Sequence, residues 1–107
     1  MGRTCRKRNM VEQGDIIQIE NINDLALVIS KNQYNESEKA ILCPILKNSC
    51  GSTFEIEFTY NEQSYYVVCD SIKQIDLRPR HYSKKGTIPL NKLMYISDMI
   101  QAIIDYV

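Results

Sequence analysis

The stretch Thr53-Phe54-Glu55-Ile56-Glu57-Phe58-Thr59 alternates strictly between apolar and polar side chains. Successive side chains of a strand point to opposite faces, so Phe54, Ile56 and Phe58 share one face and Glu55 and Glu57 the other. A slip of one residue would bury both glutamates unpaired, so the register is strongly specified. The expectation is a strand over residues 53–59 with all three apolar side chains in the core.

Outward from this stretch, other short runs read the same way. Asp15 to Glu20 is a half-buried strand, and Leu25 to Ile29 is a continuous apolar run of strand length. Ala40 to Ile45 is a third strand, which Pro44 places near an edge or a bulge. Tyr65 to Cys69 is a fifth, and Ile72 and Ile75 lead through a short strand or turn into a basic segment. Asn32 to Lys39 is polar and reads as a loop or one helical turn. Asn48 to Ser52 and Tyr60 to Gln63 read as turns. The C-terminus changes period. Leu93, Ile96, Ile100, Ile103 and Val107 recur three and four apart, the apolar face of a helix from Leu90 to Tyr106. Pro89 suits its first turn and Gly86 the preceding loop. Met94 and Met99 flank the apolar face and read as core. Five or six short strands and one helix make a mainly β architecture: a small twisted barrel or sandwich with the helix packed on it.

At 107 residues the chain is one domain. Residues 1–10 read as a flexible basic arm, and residues 11–107 are expected to be the folded unit. With 44% hydrophobic and 24% charged residues it is neither a disordered tail nor a membrane protein. No apolar run reaches the ~18 residues of a transmembrane helix and none follows the basic start as in a secretory signal, so a cytoplasmic protein without membrane contact is expected. Thirteen basic and thirteen acidic residues cancel. They are unevenly spread: residues 1–10 hold Arg3, Arg6, Lys7 and Arg8 and no acid, whereas residues 11–70 hold ten acids against three lysines. Lys73, Arg78, Arg80, Lys84 and Lys85 then cluster against Asp76 alone, and local basic density of this kind meets phosphate. Of the four cysteines, Cys43 and Cys69 sit in strand-like runs and read as small core residues. Cys50 lies in an exposed turn, and no cysteine pair has metal-ligand spacing. No metal and no cofactor are expected.

Several of these segments, in order, resemble the MazF/PemK family of toxins from bacterial type II toxin–antitoxin pairs. Gly14-Asp15-Ile16-Ile17 is similar to the opening of that family's first strand. Ala26-Leu27-Val28-Ile29-Ser30 with Tyr34-Asn35 is similar to its second strand and beyond. Cys43-Pro44-Ile45, Phe54-Glu55-Ile56 and Asp70-Ser71-Ile72-Lys73-Gln74-Ile75 match three further blocks. Arg78-Pro79-Arg80 and Lys84-Lys85-Gly86-Thr87-Ile88 match a last one before the helix. The resemblance covers residues 13–107. It implies an SH3-like barrel with a C-terminal helix, a homodimer, an antitoxin protein as partner, and metal-independent cleavage of single-stranded RNA. In the family an arginine at the start of the second strand and a threonine at the end of the third carry the chemistry. The ribose 2′-OH attacks the adjacent phosphorus, so the site must stabilise phosphate charge and move two protons.

Those positions fall here on Asp24 and Leu46. Aspartate repels a phosphate where attraction is needed, and leucine neither donates nor accepts a hydrogen bond. The loop before the second strand is also short, only Glu20 to Asn23. His81, the one histidine, is the substitute candidate for proton transfer. Lys73, Arg78, Arg80, Lys84, Lys85, Lys47 and Asn48 are the candidate nucleic-acid contacts, with single-stranded RNA or DNA as ligand. Tyr60, Tyr65 and Tyr66 are candidate base-stacking residues. Of the adjacent pair Tyr65 and Tyr66, only one is expected to be free. A non-catalytic dimer that binds nucleic acid or an antitoxin is the alternative.

Overall fold

A computed structural model describes residues 10–104. The arm expected over residues 1–10 lies outside the described residues except for Met10, as do Asp105, Tyr106 and Val107. The elements run β1 (Asp15–Ile19), β2 (Leu25–Val28), α1 (Asn32–Asn35), β3 (Lys39–Leu46), β4 (Glu55–Tyr60), β5 (Gln63–Val68), β6 (Lys73–Asp76), β7 (Tyr82–Thr87) and α2 (Leu90–Ile104). All pairings are antiparallel. The strands follow one another across the sheet as β4-β5-β3-β2-β1-β7, and β6 pairs with the first half of β3. The sheet curls so that its two terminal strands approach: the Tyr60 hydroxyl of β4 donates to the Lys85 carbonyl of β7. This curled, mainly β sheet with a C-terminal helix is the expected class.

Alternation sorts the side chains of the sheet onto two faces. Ile16, Leu27, Cys43, Ile45, Ile56, Phe58, Tyr65 and Val67 form the inner core, which α2 closes with Ile96 and Ile100. Ile17, Ile19, Val28, Ala40 and Leu42 form a smaller cluster on the outer face, covered by Val11 and Leu77. Pro89 accepts hydrogen bonds from the amides of Lys92 and Leu93 and so starts α2. Leu93, Ile96, Ile100 and Ile103 turn inward as their spacing requires. Behind β2, the Ser30 hydroxyl and the Asn35 amide close a buried network that seats α1.

Four expectations need correction. Phe54 lies before β4, not in it, and is 37% exposed. The strand starts two residues later than expected because the chain is still turning through residues 53–54, where the Phe54 amide donates to the Ser52 hydroxyl at 3.0 Å and its carbonyl accepts from the Cys69 amide. Pro44 is not at a sheet edge: β3 is central, with β2 on one side. Its other neighbour changes from β6, up to Leu42, to β5, from Ile45, so the proline's missing N–H falls in that gap. The basic segment contains β7, with Gly86 inside it, which gives seven strands among the described residues. Its sequence Tyr-Ser-Lys-Lys-Gly-Thr has no alternation, and main-chain pairing to β1 holds it. Met94 is 59% exposed and is not core. The turn expected over Tyr60 to Gln63 is present: those two residues pair, and Asn61 and Glu62 between them are both at positive φ (52° and 63°), as a two-residue primed turn demands.

Candidate functional site

Strand register brings Asp24 and Leu46 to the same place. β2 and β3 pair at Leu25 with Ile45, and Asp24, at a bend, and Leu46, at the end of β3, each lie one residue beyond that pair. Leu46 pairs with Tyr66 on β5, and Tyr66 pairs with Glu57 on β4. Directly paired residues share a sheet face, so Leu46, Tyr66 and Glu57 form one row on the outer face, and Asp24 adjoins its Leu46 end. With Asp24 the row reads carboxylate, leucine, phenol, carboxylate. It offers no cation for a phosphate and one hydroxyl, that of Tyr66. Lys47 and Asn48 follow Leu46 and are exposed. Tyr65, one residue away, turns inward and packs against Phe58 with ring centroids 6.0 Å apart. Of the pair, Tyr66 is therefore the one available to a ligand.

His81 lies at this same end of the sheet. Tyr82 pairs with Ile19 at the end of β1, and the Glu20 amide donates to the His81 carbonyl at 2.8 Å. The histidine is exposed and stands beside the short Glu20 to Asn23 loop, two strands from Asp24. Nothing in the spacing of His81 from Asp24 in sequence announces this proximity, because it depends on β7 pairing with β1.

The expected basic cluster does not form one patch. Arg78 grips Asp76 with two bonds, Nη2 to Oδ2 at 2.7 Å and Nε to Oδ1 at 3.0 Å. These bonds hold the Asp76 carboxyl down to about 2 and push the Arg78 guanidinium up. Lys84 Nζ sits 3.2 Å from Asp15 Oδ1, whose side chain is only 5% exposed. Among the described residues these are the two ion pairs. Among the described residues no carboxylate pairs with Lys47, Lys73, Arg80 or Lys85, but Lys73 pairs in the ladder with Leu42 at the middle of β3, away from His81. Charge density along the chain overstated the site because two cations already belong to carboxylates.

One groove escaped the sequence reading. It holds about 440 Å³ between β4 and α2, lined by residues 53 and 55–59 and by Lys92, Tyr95 and Met99. At its rim the Ser49 hydroxyl, the Cys50 amide (3.1 Å) and the Cys50 Sγ (3.2 Å) all donate to the Glu55 carboxylate. The Ser49 bond foremost lowers that carboxyl below its usual range. Alternation had shown Glu55 and Glu57 facing outward. That β4 ends the sheet beside α2 had no local signal. Burial, and after it neighbouring negative charge, pushes the Cys43 thiol up to about 12 and the Cys69 thiol to about 11, so both stay protonated. Among the described residues no three His, Cys, Asp or Glu side chains gather to hold a metal ion.

Residues 12–104 match a family model described as the PemK-like, MazF-like toxin of type II toxin–antitoxin systems. The endoribonuclease toxin MazF of Escherichia coli K12 is 32% identical over 80 residues, covering 74% of this chain and 72% of that protein. Among solved structures, a MazE–MazF crystal form from Deinococcus radiodurans superposes with a TM-score of 0.81 at 20% identity, covering 92% of this chain and 98% of that one. An endoribonuclease in complex with its cognate antitoxin, from a mycobacterial species, gives 0.74 at 12% identity, covering 92% and 97%.

Proposed function

The chain belongs to the PemK-like, MazF-like toxin family of type II toxin–antitoxin systems, and on that premise we propose that it binds single-stranded RNA and cleaves it, without a metal, far more slowly than its endoribonuclease relatives. The row Asp24, Leu46, Tyr66, Glu57 carries this reading. Attack of the 2′-OH develops negative charge on phosphate oxygens, and preorganised donors and cations are what stabilise it. Two carboxylates at the ends of that row oppose the charge, and Leu46 supplies no donor. RNA is then held by Lys47, Arg80 and Lys85, with Asn48 and Tyr66 toward the bases and His81 as the remaining group for proton transfer.

The partner reading follows from the same membership. A cognate antitoxin is the protein partner, as in the complexes of the structural neighbours. The outward flank of α2 leaves Leu90, Met94 and Ile104 exposed, and a second copy of the chain covering them makes a homodimer. Among the described residues no helix is long and apolar enough to cross a membrane. Action in the cytoplasm belongs to the proposal.

Incubating the protein with a long unstructured RNA in EDTA is the test. Slow cutting that leaves 2′,3′-cyclic phosphate ends, accelerated in the double variant Asp24→Arg with Leu46→Thr, supports the proposal. Wild-type cutting as fast as the Escherichia coli relative under the same conditions overturns it. The anionic row also favours a second reading, a non-catalytic dimer that binds nucleic acid, DNA included, or an antitoxin. RNA binding with no cutting by wild type or by the double variant would establish that one.

A further inference from the structure

We propose that the groove along β4 is a docking site for an extended peptide of a partner protein, which adds to the sheet as one more strand and carries lysine or arginine at alternate positions. β4 is the terminal strand of the sheet. Among the described residues its main chain from Glu55 to Thr59 bonds to β5 alone, so its outer N–H and C=O groups face the groove without main-chain partners. Such an edge is a template for another strand. The groove runs along this edge, because residues 53 and 55–59 all line it. Opposite stand Lys92, Tyr95 and Met99, three and four residues apart and so one stripe along α2. A cleft with a strand edge on one side and a helix stripe on the other has the shape of an extended chain.

The side chains state which peptide fits. Glu55 and Glu57 lie two residues apart on one face of β4, so cations at positions i and i+2 of an added strand pair with them across the edge. The Glu57 side chain is exposed and has no partner among the described residues. Glu55 already accepts three bonds and has room for a fourth. The intervening peptide side chains turn to the other face, where Tyr95 and Met99 on α2 offer apolar contact. Lys92 is the one cation of the lining, on the helix side, and leaves the carboxylate face to the peptide's own cations. A second copy of β4 fits poorly, because antiparallel pairing of two such edges sets glutamate against glutamate. The proposed dimer surface at Leu90, Met94 and Ile104 lies on the opposite flank of α2 from Tyr95 and leaves the groove open.

The test uses three labelled synthetic peptides: alternating Lys-Val, alternating Glu-Val, and a block peptide of the same lysines followed by the same valines. Fluorescence anisotropy gives their affinities, and hydrogen exchange follows the β4 amides that do not bond to β5. The expected result is binding of the alternating basic peptide at least tenfold tighter than of either other peptide, with new protection of those amides. Glu57→Lys should reverse the preference toward the Glu-Val peptide, and Tyr95→Ala should weaken binding while leaving the preference unchanged. Equal affinity for the block peptide, an unchanged preference in Glu57→Lys, or β4 amides protected without peptide in a concentration-dependent way overturns the proposal. The last outcome would assign the groove to a second copy.

Discussion

Gly86 and Tyr60 mark the place where the curled sheet closes, and their coupling is measurable. A Cβ built on Gly86 lies 2.7 Å from Tyr60 Cε1, 3.1 Å from its hydroxyl oxygen and 3.2 Å from Cζ. Ordinary contact needs the ring to retreat by about 1 Å. The ring is held at two points: its hydroxyl bonds the Lys85 carbonyl, and its face meets Tyr65 with centroids 5.9 Å apart. Retreat loses a hydrogen bond of about 1 kcal/mol and an aromatic contact of about 0.5–1.5 kcal/mol. Gly86 does not have positive φ, so alanine also gains about 0.4–1 kcal/mol by restricting the unfolded chain. Gly86→Ala should therefore cost about 1–2 kcal/mol net, or a fall of several degrees in melting temperature for a chain of this size. In a Tyr60→Ala background the obstacle is gone, and the same substitution should become neutral or stabilising by about 0.5 kcal/mol. Urea unfolding of the four proteins gives the coupling directly, expected near 2 kcal/mol. If the cost of Gly86→Ala is the same in both backgrounds, the ring is not what excludes a side chain there, and the closure of the sheet rests on something else.

Truncating the two phenylalanines should separate core from surface: Phe58→Ala should cost about 3–5 kcal/mol and Phe54→Ala under about 1 kcal/mol, read from denaturant midpoints. Glu62 occupies the left-handed region in the two-residue hairpin turn, so Glu62→Gly should stabilise by about 0.5–1 kcal/mol, and a loss of stability would contradict the turn assignment. In the salt dependence of RNA binding, Arg80→Ala with Lys85→Ala should flatten the slope by about two charges, whereas Arg78→Ala and Lys84→Ala, whose cations are already engaged, should flatten it less. The Asp76 carboxyl is held below its unfolded value, so its contribution to stability is present above about pH 4 and is lost as pH falls toward 2; Arg78→Ala should remove that part of the acid dependence in pH-jump unfolding. Alkylation at pH 8 should modify Cys50 in the folded protein and reach Cys43 and Cys69 only on unfolding.

Local pattern determined much of this molecule. Strict alternation at Glu55 to Phe58 marked a strand, and three–four spacing from Leu93 to Ile103 marked the helix and its buried face, because both follow from the geometry of a single element. Asp24 and Leu46 were legible as departures at positions a relative would use, since those positions travel with the motifs around them. Tertiary structure decided the rest. β7 has a sequence without alternation and becomes a strand only because β1 offers it an edge. Phe54 belongs to the alternation but falls outside the ladder, because the chain is still turning there when pairing with β5 begins. Whether a cation is available depends on which carboxylate folding brings to it, and among the described residues Arg78 and Lys84 are engaged while Arg80 and Lys85 are not. The open edge of β4, the groove beside it and the meeting of Tyr60 with Gly86 all join residues distant along the chain. A one-dimensional pattern records how each segment prefers to bury itself and is silent about which other segment it will meet.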